Sequence, residues 1–571
     1  MIGLNKIGLN QVQLNRLRLN APFPAYGKMA GGGGSGDGFP QLPGDVTRWH
    51  FGGLTNEMMA AMDDPRIEDA DGKGRFLSFK NFAWKGMSGV GGYAGDFSKW
   101  ANNRDTTEIG ITKSNSKVII DVKVSQGSGK NIVFISKSNL GISNNVTIKI
   151  TSTYPEGVMK FANSASNKYL KLPSNGIITL QDNPEYTSNE MHLHLASADL
   201  GQITIEQLPL YPGALVFDGV DDYGVCDNFP ILTKEKGYTV VALRQWITRG
   251  EGALGLVSNV KNWLNNGAFL LEYRNIQADH LNKPISFGAI GSEMDLPHIL
   301  TYQTSKSYNG VPITTGNFEG TDVLHVGKLA PTNVGTCINA AIWEIVILDH
   351  DATEEELTKI KDYFVKTYPW LFPDQAWTVV GKTNEDEDRA TIANITGNGN
   401  DLVLSNFGFA EGSGYNEEGE YAGYLVTDGV DDKITSSDFK MGKDFTIVGY
   451  WKFIVDENKG CGLIKVPKLF IYNSKTGLDI YINSNSIKNI LSGIKGLNAV
   501  CSDGRVYDCN WNEISVKYSN MVDINSSFLI ANSGNTITKM AFKNLGIYNN
   551  QLLSKNDCIK AYNYLQTLKA K

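Results

Sequence analysis

Several groups of residues in this chain have types and spacings that could carry chemistry. The first is the motif Asp-Gly-Val-Asp-Asp at 218–222, which recurs at 428–432. Carboxylate oxygens are the ligands that Ca²⁺ prefers. Gly and Asp are also the residues of tight turns, because they adopt backbone conformations that most residues avoid. The sequence therefore favours a tight hairpin turn and leaves calcium binding by Asp218, Asp221 and Asp222 open.

Two further patterns bear on metal and glycosidase chemistry. His192 and His194 would lie on one side of a strand, which is a metal-ligand spacing, but no third ligand is evident and an exposed strand face is favoured. A β-sandwich glycosidase would need paired carboxylates in one cleft. The strand at 478–482 carries Asp479 alone, and the Glu-Asp-Glu-Asp run at 385–388 is typical of a solvated turn.

No nucleophile elbow, zinc-protease motif or phosphate-binding loop is present in the sequence. The chain is therefore predicted not to be an enzyme, with no catalytic, cofactor-binding or metal residue assigned. Some tryptophans could stack on sugar rings, although burial in the core is favoured for each of them (Trp246, Trp263, Trp370, Trp377, Trp451 and Trp511). The six cysteines show no CxxC pairing and are interpreted as reduced, with Cys501 and Cys509 as the pair that an oxidising compartment could join.

The elements that position these residues are duplicated. Asn81-Phe82 and Ser88-Gly89 recur 325 residues later as Asn406-Phe407 and Ser413-Gly414, whereas the acidic motif recurs after only 210 residues. The first copy of the module must therefore contain about 115 extra residues between these two boxes. Each copy ends in a strand and a capped helix, with Thr353/Glu356 and Ser554/Asp557 as the cap residues.

These offsets define five segments. Residues 1–45 form an N-terminal repeat arm with a Gly-rich linker, and residues 46–96 hold the first box of module one. Residues 97–211 are an inserted β-domain, residues 212–372 complete module one, and residues 373–571 are module two. Alternating apolar strands and the 60 glycines favour an all-β fold.

The N-terminal arm has an unusual period of five. Leu4, Leu9, Leu14 and Leu19 are each followed by Asn, as in the coils of a pentapeptide β-helix, and the arm is basic. One such coil cannot bury its own leucines, so residues 1–20 are predicted to dock on partner chains and to assemble a homo-oligomer. A disordered leader is the alternative.

The charge of the chain bears on which partners it could bind. The net charge is −7 and the isoelectric point about 5.7, so no basic field would attract nucleic acid. Neither a signal peptide nor a membrane span is predicted.

The Asp-Gly-x-Asp-Asp turn, the closing strand and the capped helix resemble the concanavalin A-like jelly roll of laminin-G-type domains, over about 211–372 and 423–571. The Gly-rich leader, the Asn-Phe and Ser-Gly boxes and the tandem arrangement are similar to virion proteins of tailed phages of the crAss-like group that infect Bacteroides.

The resemblance implies an all-β chain of tandem jelly-roll sandwiches with one inserted small β-sandwich and an N-terminal docking arm. It implies a fibre or decoration protein located on the virion, bound to capsid, collar or tail proteins and displaying lectin-like domains toward host or mucosal glycans. The alternatives are a stand-alone bacterial carbohydrate-binding protein or adhesin and, less favoured, a glycoside hydrolase.

Overall fold

The structure is a computed structural model. It describes residues 38–102, 107–124, 130–136, 146–162, 169–180, 190–197, 199–248, 255–262, 266–273, 277–280, 283–285, 299–312, 320–329, 337–417, 421–437, 439–454, 461–466, 469–474, 477–482, 485–487, 496–515, 524–526, 529–530 and 539–570. The predicted docking arm at residues 1–20 lies outside the described residues.

The described strands follow one another along the chain in four groups. The first group is β1 (Val46–His50), β2 (Arg66–Glu68), β3 (Phe76–Lys80) and β4 (Gly89–Val90). The second is β5 (Ala101–Asn102), β6 (Ile109–Lys113), β7 (Lys117–Val122), β8 (Lys130–Ser136), β9 (Thr147–Ser152), β10 (Met159–Ala162), β11 (Tyr169–Lys171), β12 (Asn175–Thr179), β13 (Glu190–Leu195) and β14 (Gly201–Gln207). The third is β15 (Leu215–Asp218), β16 (Tyr223–Cys226), β17 (Thr239–Trp246), β18 (Gly255–Asn262), β19 (Asn266–Tyr273), β20 (Gln277–His280), β21 (Lys283–Ile285), β22 (Leu300–Thr304), β23 (Ser307–Tyr308), β24 (Val311–Pro312), β25 (Leu324–Val326) and β26 (Asn339–Leu348). The fourth is β27 (Gln375–Thr378), β28 (Thr391–Ile392), β29 (Leu402–Ser405), β30 (Gly414–Asn416), β31 (Tyr424–Val426), β32 (Lys433–Ser436), β33 (Phe439–Met441), β34 (Phe445–Phe453), β35 (Cys461–Val466), β36 (Leu469–Ser474), β37 (Gly477–Ile482), β38 (Asn485–Ile487), β39 (Gly496–Cys501), β40 (Arg505–Asp508), β41 (Glu513–Ser515), β42 (Ile524–Ser526), β43 (Leu529–Ile530) and β44 (Met540–Asn549).

These strands confirm the all-β fold class. Module one combines the first and third groups in two antiparallel sheets, β24-β23-β22-β17-β26-β15-β4 with β1 beside β26, and β2-β3-β16-β25-β18-β19-β20-β21. Module two repeats this order with β41-β40-β39-β34-β44-β31-β30 and β27 beside β44, and with β28-β29-β32-β43-β35-β36-β37-β38. The duplication seen in the sequence is therefore a duplication of sheet topology.

The second group of strands forms a separate small sandwich between the two parts of module one. Its sheets are β11-β10-β13-β8-β5 and β12-β9-β14-β7-β6. Its own apolar core includes Trp100, Ile120, Phe161 and Leu193, all fully or almost fully buried.

The helices of the described residues are α1 (Asn56–Ala60), α2 (Glu354–Thr367) and α3 (Lys555–Leu565), with 3₁₀ turns at Phe97–Lys99 and Pro369–Leu371. The predicted cap of α2 is confirmed, because Thr353 and Glu356 form a reciprocal capping box. The Ser554 cap of α3 is confirmed as well, with its hydroxyl accepting from the Asp557 N–H.

A shared apolar core joins the two modules. The α3 residue Tyr564 meets the module-one residue Trp343 edge to face, with ring centroids 6.2 Å apart. The amide of Asn563 on α3 donates at 3.3 Å to the carbonyl of Pro209, at the end of the inserted segment. Just after α3, the Thr567 hydroxyl accepts from the amide of the module-one residue Gln245 at 3.2 Å. Helix α3 is thus part of module two in the sequence, but its side chains pack against both modules.

The turn that carries the acidic motif differs from the hairpin expected from the sequence. β15 pairs with β26 and β4, whereas β16 pairs with β25 and β3, so the two strands lie in different sheets. β31 and β32 are separated in the same way. The prediction of a hairpin was wrong because turn residues specify a reversal of the chain but not which strands then pair.

Candidate functional site

The acidic turn of module one is closed by its own side chains. The Asp218 N–H donates to Asp222 Oδ2 at 3.1 Å, and the Val220 N–H donates to Asp218 Oδ1 at 2.8 Å. The hydroxyl of Ser88 donates to the other oxygen of Asp222 at 3.0 Å. Asp222 is fully buried, so these bonds replace the water that its carboxylate loses.

The two sequence boxes of module one therefore meet in space. The Ser88 hydroxyl also accepts from the Ala83 N–H at 2.7 Å, and the Asn81 amide donates to the Asp221 carbonyl at 3.1 Å. Asn81 adopts φ 68°, a left-handed conformation that Asn tolerates better than most residues. The box at 81–89 and the motif at 218–222 thus join the two sheets across one end of the sandwich.

Module two reproduces this network residue by residue. The Asp428 N–H donates to Asp432 Oδ2 at 2.7 Å, the Ser413 hydroxyl donates to Asp432 Oδ1 at 3.1 Å, and the Asn406 amide donates to the Asp431 carbonyl at 3.0 Å. Asn406 has φ 67°. The sequence showed both boxes but not that they bond to each other. Their joint recurrence was the signal that could have indicated it.

Burial determines how readily the aspartates of the two turns bind a proton. Burial raises the pKa of Asp222 to about 7 and that of Asp432 to about 6. The serine hydroxyl bond opposes this rise in each copy, and the neighbouring carboxylates of the same turn add to it. Each turn therefore holds a carboxyl group that binds a proton more tightly than an exposed aspartate does.

Each aspartate trio offers one oxygen per residue within 4.8 Å of the others, which is a spacing that a cation could use. In module one, however, both oxygens of Asp222 and one of Asp218 already accept hydrogen bonds from the protein. Calcium needs about six to eight oxygen ligands and would compete with those donors. The hydrogen bonds fit the structural turn that the sequence favours, and calcium binding by these aspartates stays an open alternative.

His192 and His194 do lie on one face of β13, both half-buried. Ala162 and Lys160 of β10 are their cross-strand partners. In the part of the chain that the structure describes, the three-residue groups that could hold a metal are the two aspartate trios, and neither includes a histidine. The lysine beside His194 also disfavours a cation by charge repulsion.

The tryptophans singled out as sugar-stacking candidates lie in the core. Trp246, Trp370, Trp377, Trp451 and Trp511 are each at most 5% exposed, and Trp263 lies outside the described residues. The interpretation of these five as core residues is confirmed.

The cysteines are arranged differently from the pair considered in the sequence. Cys501 is buried and hydrogen-bonded to Cys558 of α3, whereas Cys509 is exposed. The loop pairing of Cys501 with Cys509 is therefore not the arrangement in the structure.

The run at 385–388 and Asp479 were the remaining acidic candidates. In the run at 385–388, Asp386 accepts from the Thr383 N–H and hydroxyl, both at 2.9 Å, so this run is the turn that was predicted. Asp479 lies on β37, and its side chain is not among the described ones. Among the described residues, no helix has the length and apolar character needed to cross a membrane.

Known proteins offer little comparison. No family model and no curated protein matches the chain. Trypanosoma rangeli sialidase matches 87% of this chain and 67% of its own at 9% identity, with a TM-score of 0.25. The same sialidase in complex with sialic acid matches 86% of this chain and 91% of its own at 10% identity and a TM-score of 0.24, and a receptor binding domain matches 69% and 93% at 9% identity and 0.21. Scores this low carry no argument about function.

Proposed function

We propose that this chain is a structural protein displayed on the surface of a tailed-phage particle, without catalytic activity, and that its sandwich domains bind glycans. The observation that carries the non-catalytic part is the paired acidic turn. In both modules the buried carboxylate is bonded to a serine hydroxyl and a backbone N–H of its own fold. The repeated carboxyl groups are therefore bonded within the sandwiches rather than directed at a substrate.

The join between the modules supports a role in display. Trp343, Tyr564 and the residues around them form one apolar core across both modules, so the two jelly rolls are held in a fixed relative orientation. A rigid unit presents its surfaces with little loss of conformational entropy on binding. Several copies on one particle would convert weak sites into useful avidity.

The anchoring part of the proposal rests on the sequence. Residues 1–20 combine regularly spaced leucines with basic side chains, which suits docking on capsid, collar or tail proteins and on other copies of this chain. The similarity of the leader and boxes to virion proteins of tailed phages supports the same location.

Density-gradient fractionation of a lysate from cells that produce the chain tests this function. We expect the chain to band with DNA-containing particles at constant stoichiometry, and antibodies against module two to label the outside of intact particles. Recovery of the chain only in the soluble fraction would overturn the virion location and favour a stand-alone adhesin. Release of reducing sugars from a polysaccharide panel would overturn the non-catalytic role.

A further inference from the structure

One face of the inserted sandwich combines positive charge with an exposed ring. In the sheet β11-β10-β13, Lys171, Lys160 and His194 are directly opposite one another across three strands. Tyr169, Ala162 and His192 form the next row of the same face. Residues opposite one another in a sheet point to the same side, and neighbouring strands lie about 4.8 Å apart.

The orientation of this face is fixed by its other side. Phe161 and Leu193, between the two rows, are at most 1% exposed and belong to the core of the inserted domain. Side chains alternate along each strand, so the rows that include Lys160 and His192 must face outward. The structure agrees, because Tyr169 is 43% exposed, Lys171 is exposed, and Lys160 and the histidines are half-buried.

The two rows interact with each other. The Lys160 ammonium lies 4.5 Å from the centre of the Tyr169 ring, which holds both side chains over the sheet. The Lys160 and Lys171 ammonium groups supply hydrogen-bond donors. Among the described residues of these three strands, the acidic position is Glu190, which begins β13 one row beyond His192.

We infer that this face binds acidic polysaccharide, meaning a glycan chain that bears carboxylate or sulfate groups. The two ammonium groups would pair with the acid groups of successive sugars, and the exposed tyrosine ring would pack on a sugar face. A divalent cation does not fit, because Lys160 lies directly beside His194 and Lys171 lies in the same row. The inference rests on the proposed function and names the class of glycan for it.

Binding of the full-length chain to immobilised polygalacturonate and chondroitin sulfate tests the inference, with neutral dextran as the uncharged comparison. We expect the wild type to bind both acidic chains and not dextran. Lys160→Glu/Lys171→Glu should weaken this binding at least tenfold. Lys123→Glu/Lys149→Glu, which makes the same charge change at two exposed positions, one directly after β7 and one on β9 of the other sheet, should change it less than twofold.

Tyr169→Ala separates sugar recognition from simple charge attraction. We expect it to weaken binding to the acidic polysaccharides several-fold while any weak binding to single-stranded DNA is unchanged. Binding of the wild type to single-stranded DNA as tightly as to the polysaccharides would overturn the inference in favour of a general polyanion surface.

The binding results distinguish a failure of the acidic-polysaccharide site from a failure of glycan binding as a whole. If the wild type binds acidic polysaccharide and Lys160→Glu/Lys171→Glu binds equally well, this face is not the site, but glycan binding by the chain stands. If the wild type binds only neutral glycans, the acidic class is wrong and the broader proposal survives. If it binds none, glycan binding fails as a whole.

Discussion

The buried carboxylates of the acidic turns should make stability fall as pH rises through neutrality. Burial raises the folded-state pKa of Asp222 to about 7, whereas an aspartate in the unfolded chain titrates near 4. The folded state therefore binds more protons than the unfolded state between these values. The stabilisation from this group is complete below about pH 4 and is lost as pH rises through about 7.

The size of the effect follows from the two pKa values. On acidification from pH 8 to pH 5, proton binding to Asp222 should raise the free energy of unfolding by about 3 kcal/mol. Asp432, whose folded-state pKa is about 6, should raise it by about 1 kcal/mol. Screening by solvent lowers such values, and we expect about half of each to be measured. Module one should therefore be the more pH-sensitive of the two modules.

Urea unfolding of the full chain at pH 5 and pH 8, followed by tryptophan fluorescence, measures this effect. We expect Asp222→Asn to remove about 1 to 2 kcal/mol of the stability that the wild type gains on acidification. The matched variant Asp432→Asn should remove less than about 1 kcal/mol. If the stability of Asp222→Asn depends on pH as fully as that of the wild type, the argument that burial destabilises the charged form of Asp222 is refuted.

Three further perturbations test the packing. The carboxylate of Glu272 is fully buried and accepts hydrogen bonds from Arg244 Nε at 2.9 Å, Trp246 Nε1 at 2.8 Å and the Tyr308 hydroxyl at 3.0 Å. Glu272→Gln leaves the buried guanidinium of Arg244 without its counter-charge and should lower the free energy of unfolding in urea by about 3 to 5 kcal/mol. Arg244→Leu/Glu272→Leu should cost much less, and equal losses would contradict the electrostatic explanation. Trp343→Ala should cost about 3 to 5 kcal/mol and separate the unfolding of the two modules in calorimetry, whereas an unchanged single transition would contradict the shared core. Thr353→Ala should lower stability by about 1 kcal/mol through loss of the α2 cap, and a neutral effect in the same assay would show that the cap is not needed.

The local features of this fold were predictable from the sequence. Asp-Gly motifs and Thr/Ser caps act through the residues beside them in the chain, so the turn at 218–222 and the starts of α2 and α3 were found. The constant offset of the repeated boxes indicated the duplication. Tryptophan burial followed from the size and apolar character of the ring.

The features that depend on distant residues were not predictable. Cys501 meets Cys558 of α3 rather than the nearby Cys509, because helix packing and not sequence separation decides which thiols meet. The Arg244–Glu272 pair was missed because its strands read as apolar core and nothing local indicates a charge inside a sandwich. For the same reason the row of Lys171, Lys160 and His194 emerged only once the register of three strands was known.

The central claim, that an N-terminal arm assembles and anchors a displayed sandwich protein, is tested most directly by native mass. The comparison is between the full chain and a chain that lacks residues 1–37. This truncation keeps Phe39, whose ring packs edge to face on Tyr363 of α2 at 5.0 Å, and Asp45, whose N–H donates to Asp349 at 2.9 Å. We expect the full chain to be a defined oligomer and the truncated chain to be a folded monomer. A monomeric full chain, or an oligomer that survives the truncation, would contradict the account.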